Sequence, residues 1–236
     1  MKTRTAFLAF LSVVPGRHDA FLDWHELDHR PENHGGIDHI FHSERFVVWP
    51  QGHRDLAAEG PFADPGQYLM TYWSTAEPEK VTYDMAVLRE QLAVQGRCGP
   101  INRDFRATWR HRMHLAKGYA SPAHVASSEA AFLTNHTSVV VTVGHYGDDP
   151  DWVAWYDRTG VPELFRDERI TAAYTLMPQV TAPAEPFVHL HYLTTADEGI
   201  QDTIAKAYTS GTGTLPRVLY RATYLAQHAG QPRFYD

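Results

Sequence analysis

Two histidines one helical turn apart, with acids between them, are the residues in this chain best placed to do chemistry. The phrase His25-Glu26-Leu27-Asp28-His29 matches H-E-x-x-H. That spacing puts two imidazoles on one helix face with a glutamate beside them. Read as metal chemistry, it offers His25 and His29 as ligands to a divalent metal, with His34, His39 or His42 as a third from the loop that follows. Read as proton chemistry, it offers His29 as a general base. A free imidazole has a pKa near ~6.5 and can accept a proton at neutral pH. Asp28 or Glu32 would orient it, and a base of this kind contributes on the order of 10²–10⁴ in rate. The plainer reading is a helix-end histidine that only answers the helix dipole. Pro31 weighs against a peptidase, because it is expected to end the helix at once. Six of the 15 histidines fall between His18 and His42, so the excess is local.

The surrounding pattern says what must hold these residues. Residues 5–14 are apolar and stop at Pro15-Gly16, which reads as a strand. Phe21, Leu22, Trp24 and Leu27 then form one helical face over 19–30. Residues 33–39 hold Gly35-Gly36 and read as a loop. Strands follow at 41–49 and 68–74, with a long loop at 51–66 between them. Val81, Met85, Leu88 and Leu92 make one stripe of a helix over 77–95, and 105–115 alternates as a fourth strand. The order strand, helix, strand, strand, helix, strand is that of ferredoxin-like folds.

The chain then repeats itself. Trp24, Pro31 and Glu32 recur as Trp155, Pro162 and Glu163; Tyr72-Trp73-Ser74-Thr75 recurs as Tyr192-Leu193-Thr194-Thr195; Arg106-Ala107-Thr108-Trp109 recurs as Arg221-Ala222-Thr223-Tyr224. Three matches in order, with separations that shrink along the chain, describe a duplicated module with shorter loops in its second copy. The second copy has strands expected at 138–145, 170–177, 187–194 and 218–226, and helices at 150–158 and 197–208. Where the first has His25 and His29, the second has Tyr156 and Gly160. The organisation expected is therefore residues 1–115 as a first unit carrying the site, 116–137 as linker, 138–228 as a second unit with a degenerate site, and 229–236 as a tail.

Alternation along the fourth strand puts Arg106, Thr108, Arg110, Arg112 and His114 on one face. Arg106 and Arg221 then stand at matching positions, as polar contacts between units or as a clamp for a substrate carboxylate, which Arg binds bidentately. Aromatics are dense in the first copy, and Trp24 and Tyr72 are candidates to wall an organic ligand. Gly211 and Gly213 hint at a phosphate loop, but no Lys follows in the required place, so the segment reads as a turn.

Composition narrows the class of function. Apolar residues make up 43% of 236, enough for a real core. A net charge of −7 gives no basic footprint for nucleic acid. One cysteine, Cys98, excludes a disulfide framework and suits a reducing cytoplasm. The apolar run 6–14 follows Lys2 and Arg4 but has no small-residue cleavage site and is too short to span a bilayer. No membrane association is expected.

The helix phrase Trp24…His29-Arg30-Pro31-Glu32 resembles the first-helix signature of the dimeric α/β-barrel superfamily. This superfamily includes EthD-like proteins, small polyketide cyclases, muconolactone isomerases and antibiotic-biosynthesis monooxygenases. The resemblance covers the order of elements over most of the chain, although the motif is short. It implies an α+β fold of two tandem ferredoxin-like (βαββαβ) units packed sheet to sheet as an intramolecular dimeric α/β barrel, with a further homo-oligomer of the fused unit possible. It implies a pocket between the sheet and the helices, with the helix-end histidine on its wall. The enzyme so implied binds an aromatic or polyketide-like small molecule in its first unit and performs an isomerase, cyclase or lyase step without a cofactor. Its catalytic set would be His29, His25, Asp28 and Glu32. Its ligand-binding set would be Trp24, His34, His39, Tyr72 and Arg106. The alternatives are heme or a divalent metal held by His25 or His29, and a protein that binds its ligand without turning it over.

Overall fold

A computed structural model describes residues 2–50, 54–57, 60–123, 127–133, 135–146, 152–178, 186–209 and 216–227. The glycine-rich turn around Gly211 and the tail 229–236 lie outside the described residues. Two compact units emerge: residues 1–47, 64–114 and 227–236 form the first, and 48–63 with 115–226 form the second. The fold is α+β.

The first unit starts with β1 (Thr5–Val13), a central strand whose residues are almost all buried. One continuous helical segment follows, made of α1 (His18–Trp24), a π-helical turn (His25–His29) and α2 (Arg30–Gly36). Pro31 does not end the helix. The wide π turn lies just before it, and that is where a missing N–H and a bulky ring are most easily absorbed. The segment at 33–36, read from sequence as loop, is accordingly helical. Leu27, expected on the buried face, is 75% exposed, while His25 takes the buried position at 2%.

β2 (Ile40–Val48), β4 (Tyr68–Ser74) and β5 (Phe105–Ala120) complete this sheet, and α3 (Pro78–Val94) covers it. β4 pairs antiparallel with both β1 and β2, and β5 pairs with the other edge of β1. The spatial order is thus second, third, first, fourth. Phe21 anchors the helix on this sheet, with its ring 5.1 Å from Tyr68 and 5.0 Å from Phe105. Val81 and Leu92 of α3 are buried as the stripe predicted.

The second unit carries the short β3 (Arg54–Leu56), paired with β9 (Arg217–Ala226). A 3₁₀ turn (Ser128–Leu133) precedes β6 (Ser138–His145). Next come α4 (Trp152–Trp155), a second π turn (Tyr156–Gly160) and α5 (Val161–Leu164). β7 (Ile170–Pro178), β8 (Phe187–Leu193) and α6 (Ile200–Thr209) follow. β8 pairs with β6 and β7, and β9 with β6, again in the order second, third, first, fourth.

Both units break register at the same two places. Thr108 is an extra residue in β5 opposite Phe10/Leu11, as Leu219 is in β9 opposite Val143/Gly144. Phe41 is extra in β2, as Thr171 is in β7. These bulges fix which residues correspond, and they correct the alignment read from short phrases. Tyr72 corresponds to His191, not Tyr192, and Arg221 corresponds to Arg110, not Arg106. A bulge shifts a strand by one residue and so moves its side chains to the opposite face. No helix among the described residues is long and apolar enough to cross a membrane.

Candidate functional site

A cavity of about 170 Å³ lies in the first unit between the sheet and its helices. Phe7, Leu11 and Met70 line it from the sheet, and Met85, Leu88 and Leu92 from α3. Trp24, His25 and His29 face it from the π-containing helix, with Tyr72 on β4. The volume is close to the ~150 Å³ of an apolar cavity that takes one benzene. That suits a single ring, at the small end of the aromatic or polyketide-like ligands that the resemblance implies.

His25 sits at the centre of a buried hydrogen-bond chain. Its Nε2 is 3.2 Å from the Tyr72 hydroxyl. Its Nδ1 has two partners of opposite character: Glu26 Oε1 at 3.4 Å can only accept, and Arg45 Nη1 at 3.5 Å can only donate. Arg45 Nη1 also donates to Glu26 Oε1 at 2.6 Å, and its Nε donates to Gln227 Oε1 at 3.0 Å. Arg30 Nη1 donates to the other Glu26 oxygen at 3.2 Å. The hydrogen bond from His25, followed by the charge of Arg45, holds the Glu26 carboxyl at about 2 in spite of its burial. Burial lowers the His25 pKa, Glu26 only partly opposing it, and burial pushes the Tyr72 phenol up. At neutral pH the chain therefore holds a carboxylate, a neutral imidazole and a neutral phenol.

His29 stands beside this pair, its ring stacked on Trp24 at 4.6 Å between centroids and 5.9 Å from that of His25. Burial, with His25 adding to it, takes its pKa down to about 3, well below the value near ~6.5 expected of a free imidazole. Asn33 anchors it: the side-chain amide donates to the His29 carbonyl at 2.7 Å and reaches a ring nitrogen at 3.3 Å. Asp28 and Glu32, expected to orient His29, instead meet Arg97 at 3.5 and 2.7 Å. Trp24 is itself held by Gly99, where φ is +69° and an added Cβ would lie 2.3 Å from the indole.

The remaining expected residues divide. Trp24 and Tyr72 line the cavity. His34 faces Ser43, 2.7 Å from its hydroxyl, and lies behind Tyr72 with ring centroids 6.3 Å apart. His39 is drawn away to Ser74 and Asp84, at 2.8 and 2.7 Å. Arg106 is exposed, opposite Ser12 on the face away from the cavity. Arg110 and Arg112 take the cavity-facing positions, because the bulge at Thr108 breaks the alternation. Glu26 had a signal as the acid of the histidine phrase. Arg45 had none, since only pairing of β2 beneath the helix brings it to His25.

Among the described residues no group of three His, Cys, Asp or Glu side chains converges to hold a metal. The acid of the H-E-x-x-H phrase is bound to two arginines and is not free to act as a peptidase base. His25 is poorly placed to ligate heme iron. Both His25 ring nitrogens are within reach of protein partners, and the cavity is smaller than the ~300–1,000 Å³ of common ligand and cofactor pockets.

The second unit fills the corresponding space with side chains. Tyr156, standing where His25 does, stacks on His189 at 4.6 Å and on Trp152 at 5.0 Å, and all three are at most 3% exposed. An added Cβ at Gly160 would lie 2.6 Å from the Tyr156 ring, so no histidine fits where His29 stands in the first unit. The Tyr–His pair survives with its members exchanged: Tyr156 on the helix is 3.1 Å from His191 Nε2 on the strand.

Solved structures with similar architecture carry oxidative names. One described as a putative chlorite dismutase has 10% sequence identity and a TM-score of 0.58, covering 98% of this chain and 97% of its own. A chlorite dismutase variant from Candidatus Nitrospira defluvii has 8% identity and a TM-score of 0.57, covering 96% and 92%. This chain shares their fold. A putative monooxygenase from Fusobacterium nucleatum has 8% identity and a TM-score of 0.56, covering 96% and 92%. At 8–10% identity these likenesses show the fold alone. No protein-family model and no curated protein matches the chain.

Proposed function

We propose that this chain is a small-molecule enzyme that moves a proton on a single-ring organic ligand held in the first unit, in an isomerase, cyclase or lyase step without a cofactor. The observation that carries this reading is the buried chain from Arg45 and Glu26 through His25 to Tyr72, ending on an apolar cavity. Opposite partners at His25 Nδ1 give the imidazole two workable tautomers. With Nδ1–H donating to Glu26, Nε2 accepts from the Tyr72 hydroxyl. With Nδ1 accepting from Arg45, Nε2–H donates to the Tyr72 oxygen and frees the phenolic proton for the cavity. Switching between them lets Tyr72 present either a proton donor or a lone pair to the ligand, as a step with separate acid and base phases requires. His29 supplies a neutral imidazole edge on the same wall. It accepts a hydrogen bond or a transient proton, and burial keeps it neutral at rest.

We further read the two units as fused ferredoxin-like repeats. Matching strand orders, bulges and π turns support that reading. One working cavity per chain follows from the filled second unit.

Exchange in deuterated buffer tests the chemistry without knowledge of the full reaction. Purified protein should catalyse deuterium incorporation at the acidic carbon of some member of a panel of cyclic enones, enol lactones and ring-bearing oxo acids, followed by NMR. His25→Ala should remove the exchange. A ligand that saturates the cavity with no exchange for any panel member would make the chain a binding protein. A Soret band in the purified protein would favour heme.

A further inference from the structure

Resting on the cavity reading above, we propose that the ligand carries a carboxylate, received by a clamp of Arg112 and Arg110 at the end of the cavity away from His25. The substrate class is then a monocyclic aromatic or enol acid, with its reacting group opposite its carboxylate.

Two cations at the cavity, Arg110 and Arg112, have no carboxylate partner among the described residues. Other arginines of this unit differ: Arg17 and Arg103 hold Asp104, Arg97 holds Glu32, and Arg30 and Arg45 hold Glu26. Arg112 is half-buried, and its guanidinium lies over the Phe7 ring at 4.7 Å. That stacking fixes the plane and leaves the in-plane N–H groups as the binding edge. On that edge, among the described residues, Nε is buried without a hydrogen-bond partner, and Nη2 meets the Met85 sulfur at 3.7 Å. A thioether is a weak acceptor, so the edge is a donor pair that a carboxylate oxygen pair would satisfy side-on. Burial, and then the neighbouring Arg110 charge, lowers the Arg112 pKa. A bound anion would relieve both penalties.

Strand register sets the distance this ligand must bridge. Arg112 and Tyr72 lie on opposite sides of Phe7, each paired directly with it. At ~4.8 Å between strands, their backbones are roughly 10 Å apart. A ring carrying a carboxylate fits between the two side chains, with its far edge at Tyr72 and His25. The sequence lining between them is apolar, as a ring requires: Phe7, Met70 and Met85.

Benzoate and its uncharged isostere benzamide test the clamp, by calorimetry and by NMR of the arginine Nε–H signals. Benzoate should bind about ten- to hundredfold tighter than benzamide, the range expected of hydrogen bonds to a charged group. It should shift the Arg112 Nε–H signal, and benzamide should not. Arg112→Met should abolish the preference while benzamide affinity stays within about twofold. Should Arg112→Met fail to fold, Arg112→Lys keeps the charge and removes the fork, and most of the preference should still be lost. Equal binding of the two probes, or a preference that survives Arg112→Met, would overturn the clamp and leave the cavity reading standing. Failure of both probes to shift the His29 ring signals would overturn the cavity reading itself.

Discussion

Removing one phenolic oxygen from each unit gives a matched comparison, because the same Tyr–His contact is built twice with its members exchanged. Tyr72→Phe strips the partner from His25 Nε2 at 3.2 Å, and Tyr156→Phe strips it from His191 Nε2 at 3.1 Å. All four residues are at most 2% exposed, so neither imidazole regains bulk water. An orphaned buried acceptor costs about 1–3 kcal/mol. The two sites should fall at opposite ends of that range. His25 borders a cavity of about 170 Å³, with room for a water to replace the lost hydroxyl. His191 is packed against Tyr156, His189 and Tyr208 with no exposure. Denaturant unfolding should therefore show Tyr156→Phe losing more stability than Tyr72→Phe, by about 1 kcal/mol or more. Carbon-acid exchange should show the reverse: Tyr72→Phe slows it about 10²-fold or more, and Tyr156→Phe leaves it unchanged. Equal exchange loss in both variants, or none in Tyr72→Phe, would refute the assignment of the proton-moving pair to the first unit.

Acid should destabilise the fold well above the usual carboxylate range. His29 and His191 are held at about 3 when folded and titrate near ~6.5 when unfolded, so between these values the unfolded chain binds the extra protons. Stability is full above pH ~6.5 and falls as pH drops towards 3, with each histidine contributing roughly a tenfold change in the unfolding equilibrium per pH unit; a flat stability between pH 6 and 4 would contradict this. Gly160→Ala should cost about 1–3 kcal/mol, because its Cβ would lie 2.6 Å from the buried Tyr156 ring, and thermal unfolding checks it. Gly99→Ala should push Trp24 off His29, seen as a red-shifted tryptophan emission with weakened benzoate binding, since the added carbon falls 2.3 Å from the indole at a φ of +69°.

The sequence by itself determined most of the strands and helices and brought several cavity-lining residues into view. Apolar strands bounded by Pro and Gly, and the Val81-Met85-Leu88-Leu92 stripe, named the elements, because periodicity follows directly from which face is buried. The repeated Trp…Pro-Glu phrase raised the expectation of a duplication and drew attention to His25, His29, Trp24 and Tyr72, which line one cavity. Only the tertiary structure decided what surrounds them. A bulge at Thr108 leaves no compositional mark, yet it turns Arg106 outward and Arg110 and Arg112 towards the cavity. The π turn keeps the helix running through Pro31, and so places Asn33 rather than an acid against His29. Glu26 and Arg45 meet at His25 only through packing of a helix on a strand 20 residues away. The low pKa of His29 is a property of burial, which residue spacing does not encode. The exchange of His25–Tyr72 for Tyr156–His191 is invisible to any alignment of short phrases, because strand register alone says which residues face each other.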